Sequence, residues 1–380
     1  MIIGNAPPTR WRTLVAGTLA AGLAACDNNS PSPAPADAAA DALIDATDAP
    51  PTDTPSADTT PPDDTQPQTD ASSDTPSDTP ADTPTITMAT RAVVDCGTVC
   101  VRPLDAVPNA AGTVVFFTAF TPAGEAAVFR ANVPSAGSAP ATPMMITSGG
   151  GLEFPLGITI SNDDMTLYIA DQSADRGTET DVGAVFSVAA SGGTATSINV
   201  GTELVRPAAI SMSVDGNDLL ISGQRRTDTD LTRALYRVPR AGGAATLLTT
   251  DLVDPSGVSQ APGGAIIVHD TRRGGARSAT AVVVGASSVS DLAGGLVAGY
   301  PAGLSYAMDS RSALFSGADP SVGDGLLTFA GPDGRPTAPA SLSSGMSTPL
   351  GLHRARSGDT WAVADETANG AGQVFLITSR

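Results

Sequence analysis

Two histidines and one run of acids are the side chains with which this chain could do proton or metal chemistry. Imidazole binds metal and moves protons near neutral pH, and it occurs only at His269 and His353. Asp171, Asp175, Glu179 and Asp181 alternate along one short segment, and such carboxylates can gather oxygen ligands around Ca²⁺. The run lacks the spacing and the glycine of an EF-hand loop, so solvated acidic turns are the alternative. No serine, threonine or cysteine stands in a recognisable pair with a base, which leaves nucleophilic catalysis without a visible constellation.

The elements that must position these residues follow from an internal repeat. Prolines at 103, 155, 207, 255, 301 and 349 open similar units spaced 52, 52, 48, 46 and 48 residues apart. Four units continue Pro-x-Gly-apolar, as in Pro155-Leu156-Gly157-Ile158 and Pro349-Leu350-Gly351-Leu352. Thirteen residues after each proline lies the middle of a second apolar run, at Phe116, Tyr168, Leu220, Val268, Leu314 and Ala362. Several of these runs close on an acid, at Asp171, Asp270 and Asp365. A third run follows, such as Val185-Phe186 or Leu326-Leu327, then turns such as Gly192-Gly193 and a fourth run. Short β-branched runs between Gly, Pro, Asp and Ser read as strands. Four strands per unit of this length make a propeller blade. The expected fold is all-β, a six-bladed β-propeller over residues 87–380. The last unit ends one strand short, and Ile86 to Val94 is expected to supply that strand and close the ring.

The start of the chain reads as an address. Arg10 and Arg12 precede an apolar run from Thr13 to Ala25, too short to span a bilayer and typical of a secretory signal. Leu23-Ala24-Ala25-Cys26 resembles the bacterial lipobox, which implies lipidation of Cys26 and a position in the cell envelope, at the inner or outer membrane. With Cys26 assigned to lipid, Cys96 and Cys100 remain, and an even remainder in an exported chain predicts a disulfide. The competing reading of Cys-x-x-x-Cys is a metal site, with both histidines far away in sequence. Residues 27–86 hold 13 aspartates among Thr, Pro, Ser and Ala, with no Lys or Arg. Such a segment cannot bury enough apolar surface to order itself, so it is expected to be a disordered tether. Fully extended it would reach about 190 Å at ~3.1 Å per residue.

Net charge is −19 for the whole chain, but the tether holds a third of the acids. The repeat region carries 26 acids against 18 arginines. This mildly acidic balance argues against nucleic acid as a partner, since phosphate binding needs a basic face. The expected partners are the membrane, through lipid, and an envelope protein or small ligand, with the propeller itself a monomer.

The ordered series of Pro-x-Gly-apolar, an apolar strand ending in Asp, Val-Phe-x-Val and Gly-Gly resembles the six-bladed propeller superfamily of TolB-type, NHL-type and gluconolactonase-type repeats. Leu235-Tyr236-Arg237-Val238-Pro239-Arg240-Ala241-Gly242-Gly243 is the most family-like piece. The resemblance implies that the first strand of each blade lines a central channel. The residues before the repeat prolines, Arg102, Phe154, Arg206, Asp254, Tyr300 and Thr348, then stand at one mouth as a candidate ligand rim. A second column, four residues after each proline, reads Val107, Thr159, Ser211, Ser259, Ser305 and His353, and its histidine stands out. Gluconolactonase-type propellers hold a divalent metal in the channel with Glu and Asn or Asp ligands. Here Asn109, Asn132, Asn162, Asn199, Asn217 and Asn369 all fall outside both columns, and Glu153 stands alone before the second blade. Quinone-dependent propellers use a channel histidine, for which His353 would have to serve. The expected function is therefore non-catalytic binding, with no cofactor or with Ca²⁺. The alternatives are a metal-dependent hydrolase or lactonase and a TolB-like envelope assembly factor.

Overall fold

The computed structural model describes residues 88–275, 278–285, 288–318, 326–331, 336–337 and 345–379. Cys26 and the predicted tether lie outside the described residues. The chain opens with β1 (Met88–Asp95). Blade 1 then runs through β2 (Val101–Pro108), β3 (Val114–Phe120), β4 (Ala126–Asn132) and β5 (Met144–Ser148). Blade 2 holds β6 (Pro155–Ile160), β7 (Thr166–Asp171), β8 (Ala184–Ala189) and β9 (Thr196–Ile198). Blade 3 holds β10 (Leu204–Met212), β11 (Asp218–Arg226), β12 (Leu231–Pro239) and β13 (Thr246–Thr249). Blade 4 holds β14 (Pro255–Gln260), β15 (Ile266–Asp270), β16 (Ala279–Val284) and β17 (Val289–Leu296). Blade 5 holds β18 (Leu304–Tyr306), β19 (Ala313–Phe315), β20 (Thr328–Ala330) and β21 (Pro336–Thr337). Blade 6 holds β22 (Pro349–Arg354), β23 (Thr360–Asp365) and β24 (Gln373–Ser379), and β1 completes it. The fold is a six-bladed β-propeller.

Ring closure is the one the sequence predicts. β1 runs antiparallel to β24, with Met88 opposite Ser379 and Asp95 opposite Gln373. On its other side β1 touches blade 1, where Ala141 N–H donates to Val93 O at 2.9 Å and Asp95 N–H donates to Ala141 O at 3.1 Å. The Cys96–Cys100 disulfide sits in the turn between β1 and β2, with its Cα atoms 4.7 Å apart. Both cysteines are buried.

The hydrophobic core lies between blades rather than at the axis. Leu220 and Leu235 pack on Val258 and Val268 between blades 3 and 4, and Trp361 and Phe375 pack with Leu314 and Phe329 between blades 5 and 6. Because a blade is covered on both faces, its middle strands are apolar throughout. β7 (Thr-Leu-Tyr-Ile-Ala-Asp) is buried at every position after the first, the continuous pattern of a two-sided buried strand.

Repeat prolines and glycines serve the axis. The pairing between first and second strands shifts register at or just after the repeat proline in blades 1, 2, 3, 4 and 6. Proline lacks an N–H for the ladder and is tolerated at such bulges. Two residues later the inner strands approach one another closely. A Cβ on Gly157 would stand 2.9 Å from Ala209 Cα, and one on Gly257 2.5 Å from Ala302 O. Cβ atoms on Gly303 and Gly351 would collide with Leu352 and with Asp105 respectively. The Pro-x-Gly signature thus bends the inner strand and then lets it close the hub. Two details differ from expectation. The third strand of blade 5 begins at Thr328 rather than at Leu326. In blade 4 the first hairpin is one residue shorter, so Ser259 faces Ile267 while Val107, Thr159, Ser211, Ser305 and His353 face residues nine further on.

Candidate functional site

All six residues of the second column come together. Val107, Thr159, Ser211, Ser259, Ser305 and His353 line one cavity of about 270 Å³ at the end of the channel where the inner strands finish. They stand at one level because each follows its repeat proline by the same distance on the same strand of its blade. Two of the hydroxyls also stitch blades together: Thr159 Oγ1 accepts Met212 N–H at 3.2 Å, and Ser259 Oγ accepts Tyr306 N–H at 3.3 Å. Ser211 and Ser305 make long bonds of 3.5 and 3.4 Å to the carbonyls of Met212 and Tyr306. The floor of this cup is therefore a ring of hydroxyls interrupted by one apolar side chain and one imidazole.

The imidazole is held from below. His353 Nε2 lies 3.0 Å from Asp105 Oδ2, with side chains only 12% and 4% exposed. Asp105 also accepts Ile158 N–H at 2.9 Å and its own neighbour's Ala106 N–H at 2.8 Å. A carboxylate in such a site offers only acceptors, so the proton of the His353–Asp105 bond belongs to Nε2. In the neutral ring Nδ1 then carries a lone pair. Sequence reasoning missed Asp105. Its signal is that Pro103-Leu104-Asp105 puts an acid where four other units have glycine.

The rim brings apolar side chains and two guanidinium groups. Val214 and Met308 are 45% and 47% exposed, and with Pro108, Met212 and Pro262 they edge the cavity. Arg356 donates to Ser161 O and Asn162 O at 3.0 and 2.7 Å and to Asp164 at 2.7 Å. Arg354 donates to Tyr306 O at 2.7 Å, Ala355 O at 2.8 Å and Gly358 O at 3.1 Å. Burial holds the Arg354 guanidinium below its usual range.

The first column stands at the opposite mouth, so His353 does not share a site with it. Each member of that column already has a partner. Arg102 pairs with Glu366 at 2.7 Å and lies 5.5 Å over the Phe120 ring, whose centroid is 5.6 Å from that of Phe154. Arg206 meets Asp181 at 2.5 Å, Asp254 meets Arg233 at 3.2 Å, and Thr348 shares a hydroxyl bond of 2.8 Å with Thr367. Tyr300 spans the mouth: from blade 5 its hydroxyl reaches Gln172 Nε2 of blade 2, on the far side of the ring, at 3.4 Å. The ring is 38% exposed, yet enclosure of the hydroxyl, with the Asp254 carboxylate near, pushes its pKa up to about 12. Glu153 is exposed at this same end, which separates it from His353 by the length of the channel.

The acidic run is likewise dispersed. Asp171 is fully buried and accepts N–H bonds from Glu153, Phe154, Ser173 and Ala174 at 2.8–3.1 Å. Burial pushes its carboxyl up against the pull of those four donors. Asp175 accepts Asp181 N–H at 3.0 Å, while Glu179 meets Arg226 at 3.0 Å and is held below its usual range by that guanidinium. Asp181 is the partner of Arg206. Among the described residues no three His, Cys, Asp or Glu side chains form a group that could hold a metal. Asp171, Asp270 and Asp365 act structurally, since each folds the segment before a repeat proline onto the end of a second strand. His269 is wholly buried beside Phe315, 6.2 Å between centroids, and burial lowers its pKa to about 4.

No family model and no curated protein matches the chain. Solved structures do resemble it. The X-ray structure of a protein designated a gluconolactonase by family is 16% identical, spans 77% of this chain and 92% of its own, and gives a TM-score of 0.51. A gluconolactonase from Xanthomonas campestris is 12% identical over 77% of this chain and 90% of its own, with a TM-score of 0.49. TolB from Acinetobacter baumannii is 14% identical over 62% of this chain and 53% of its own, with a TM-score of 0.46. At these identities the likeness is one of fold.

Proposed function

We propose that this chain is a lipid-anchored protein of the bacterial envelope whose propeller binds a small ligand in the cup at the His353 mouth without transforming it. The observation that carries this reading is the convergence of six inner-strand positions on one cavity of about 270 Å³. That size lies at the lower edge of small-molecule sites, which favours a small ligand over an extended polymer. The opposite mouth supports it too, being spanned by Tyr300. A small-molecule thermal-shift screen on the full chain tests the proposal. Hits should disappear in Ser305→Trp, which fills the cup; hits that persist unchanged would move the site elsewhere.

One observation favours a second reading. Asp105 orients His353 so that Nδ1 faces away from the carboxylate, and an imidazole so held can act as a general base. A hydrolase or lactonase acting at the cup would use it. Turnover of a lactone or ester, abolished by His353→Ala, would decide for the enzyme; a flat screen with the metal content of the purified chain measured beside it would decide for binding.

A further inference from the structure

Two arginines line the cup of an acidic domain. Its lining residues include Arg354 and Arg356 and, among the described residues, no Asp or Glu. The two arginines differ in their surroundings. Arg356 is neutralised by Asp164 at 2.7 Å. Arg354 has no carboxylate within ion-pair distance among the described residues. Three backbone carbonyls grip its Nε and Nη1 atoms, which fixes the plane of the guanidinium and leaves the N–H groups of Nη2 without a partner among the described residues. Asp359 acts on this half-buried cation only from beyond ion-pair distance, so the rigidly held guanidinium keeps its attraction for an anion placed directly on it. Backbone carbonyls cannot neutralise it, since they contribute dipoles and no net charge. The rim of the same cavity also presents the apolar side chains of Val214 and Met308, both well exposed, beside polar ones such as Asn162 and Gln260.

We propose that the cup takes a small organic carboxylate, its anionic end on Arg354 Nη2 and its apolar body between Val214 and Met308. Hydroxyls of the floor ring would bond the carboxylate's second oxygen, because Ser211 and Ser305 make only long internal bonds. This inference rests on the cup being the binding site. It adds the charge and shape of what is bound.

Isothermal titration of the full chain with hexanoate, hexanamide and hexylamine separates charge from shape. Hexanoate should bind, hexanamide at least tenfold more weakly and hexylamine not at all. Arg354→Gln should weaken hexanoate at least tenfold while leaving hexanamide unchanged, and raising NaCl on the wild-type chain should weaken hexanoate alone. The salt titration needs no variant and stands even if Arg354→Gln fails to fold. Equal binding of acid and amide, or hexanoate binding untouched by salt, overturns the carboxylate assignment and leaves the cup as a site. Hexanoate binding that survives both Arg354→Gln and Ser305→Trp overturns the site as well. No binding of any acid in a series from acetate to octanoate also overturns the inference.

Discussion

Asp105 in blade 1 joins His353 of blade 6, at 3.0 Å, to the backbone of Ile158 in blade 2, at 2.9 Å. One carboxylate thus links three consecutive blades at the axis, on the side of the ring where the chain closes on itself. The space it occupies exists because Gly351 has no side chain.

Asp105→Ala should lower stability by about 3 kcal/mol, since it takes the acceptor from the N–H groups of Ala106 and Ile158 and from the His353 ring together. Gly351→Ala should cost roughly 1–3 kcal/mol through overpacking of the same spot. Denaturant midpoints of the two variants measure both effects. A shift below about 0.5 kcal/mol in each would mean that Asp105 does not hold the hub.

His269 should make stability depend on pH. Burial keeps it neutral down to about pH 4, whereas in the unfolded chain it protonates near 6.5. Between those values the unfolded state binds a proton that the native state does not. Stability is therefore whole above pH 6.5 and falls as the pH drops toward 4, by about 3 kcal/mol. His269→Leu should flatten this part of the curve with little loss at pH 7, because the ring makes no hydrogen bond of good geometry and only a weak approach to the Gly303 backbone. An unchanged slope in the variant would assign the pH dependence to other groups.

The acids that close second strands should matter far more than those on loops. Asp365 is buried and accepts N–H bonds from Ser347, Thr348, Thr367 and Ala368. Asp365→Ala should cost about 2–3 kcal/mol. Asp175 lies on the surface, and Asp175→Ala should change stability by less than about 0.5 kcal/mol. Thermal melts of the pair, with and without Ca²⁺, compare the two roles; a Ca²⁺-dependent rise that Asp175→Ala abolishes would revive that loop as a cation site.

Cys26→Ala should release a folded propeller into the soluble fraction. Several acyl chains hold a protein at a membrane where one holds it only marginally, and on the proposed reading this substitution removes the residue that would carry them. Fractionation with antibody detection reads the result. A variant that stays with the membrane would refute the lipid anchor.

Much of this architecture can be read from residue types because the hub makes local demands. Proline stands at a register shift in five blades and glycine at a close approach in four, so they recur at countable intervals. The cup column is legible for the same reason, since a fixed step from the proline puts Thr159, Ser211 and His353 at one level. What stays hidden depends on neighbours distant in the chain. Asp105 looks like an interruption of the repeat until Ile158 and His353, 53 and 248 residues away, are seen beside it. The varied residues before the prolines look like a ligand rim in sequence. In space their variety answers to different partners, Glu366 for Arg102 and Asp181 for Arg206. The shortened hairpin of blade 4 also escapes a reading that counts from the proline alone.

The pairing of β1 with β24 sets an order of events. The strand nearest the start of the propeller finds its partner only in the last residues described, so blade 6 cannot form until nearly the whole chain has emerged. A chain that crosses a membrane with its N-terminus leading would hold β1 unpaired throughout the crossing. Arg91 at the centre of β1, bonded to Pro134 O at 2.8 Å once folded, puts a charge on that waiting edge, and charged edges resist wrong partners. Completion of the ring thus waits for the last strand described: a chain truncated before β24 keeps an open seam, with β1 left as an unpaired edge.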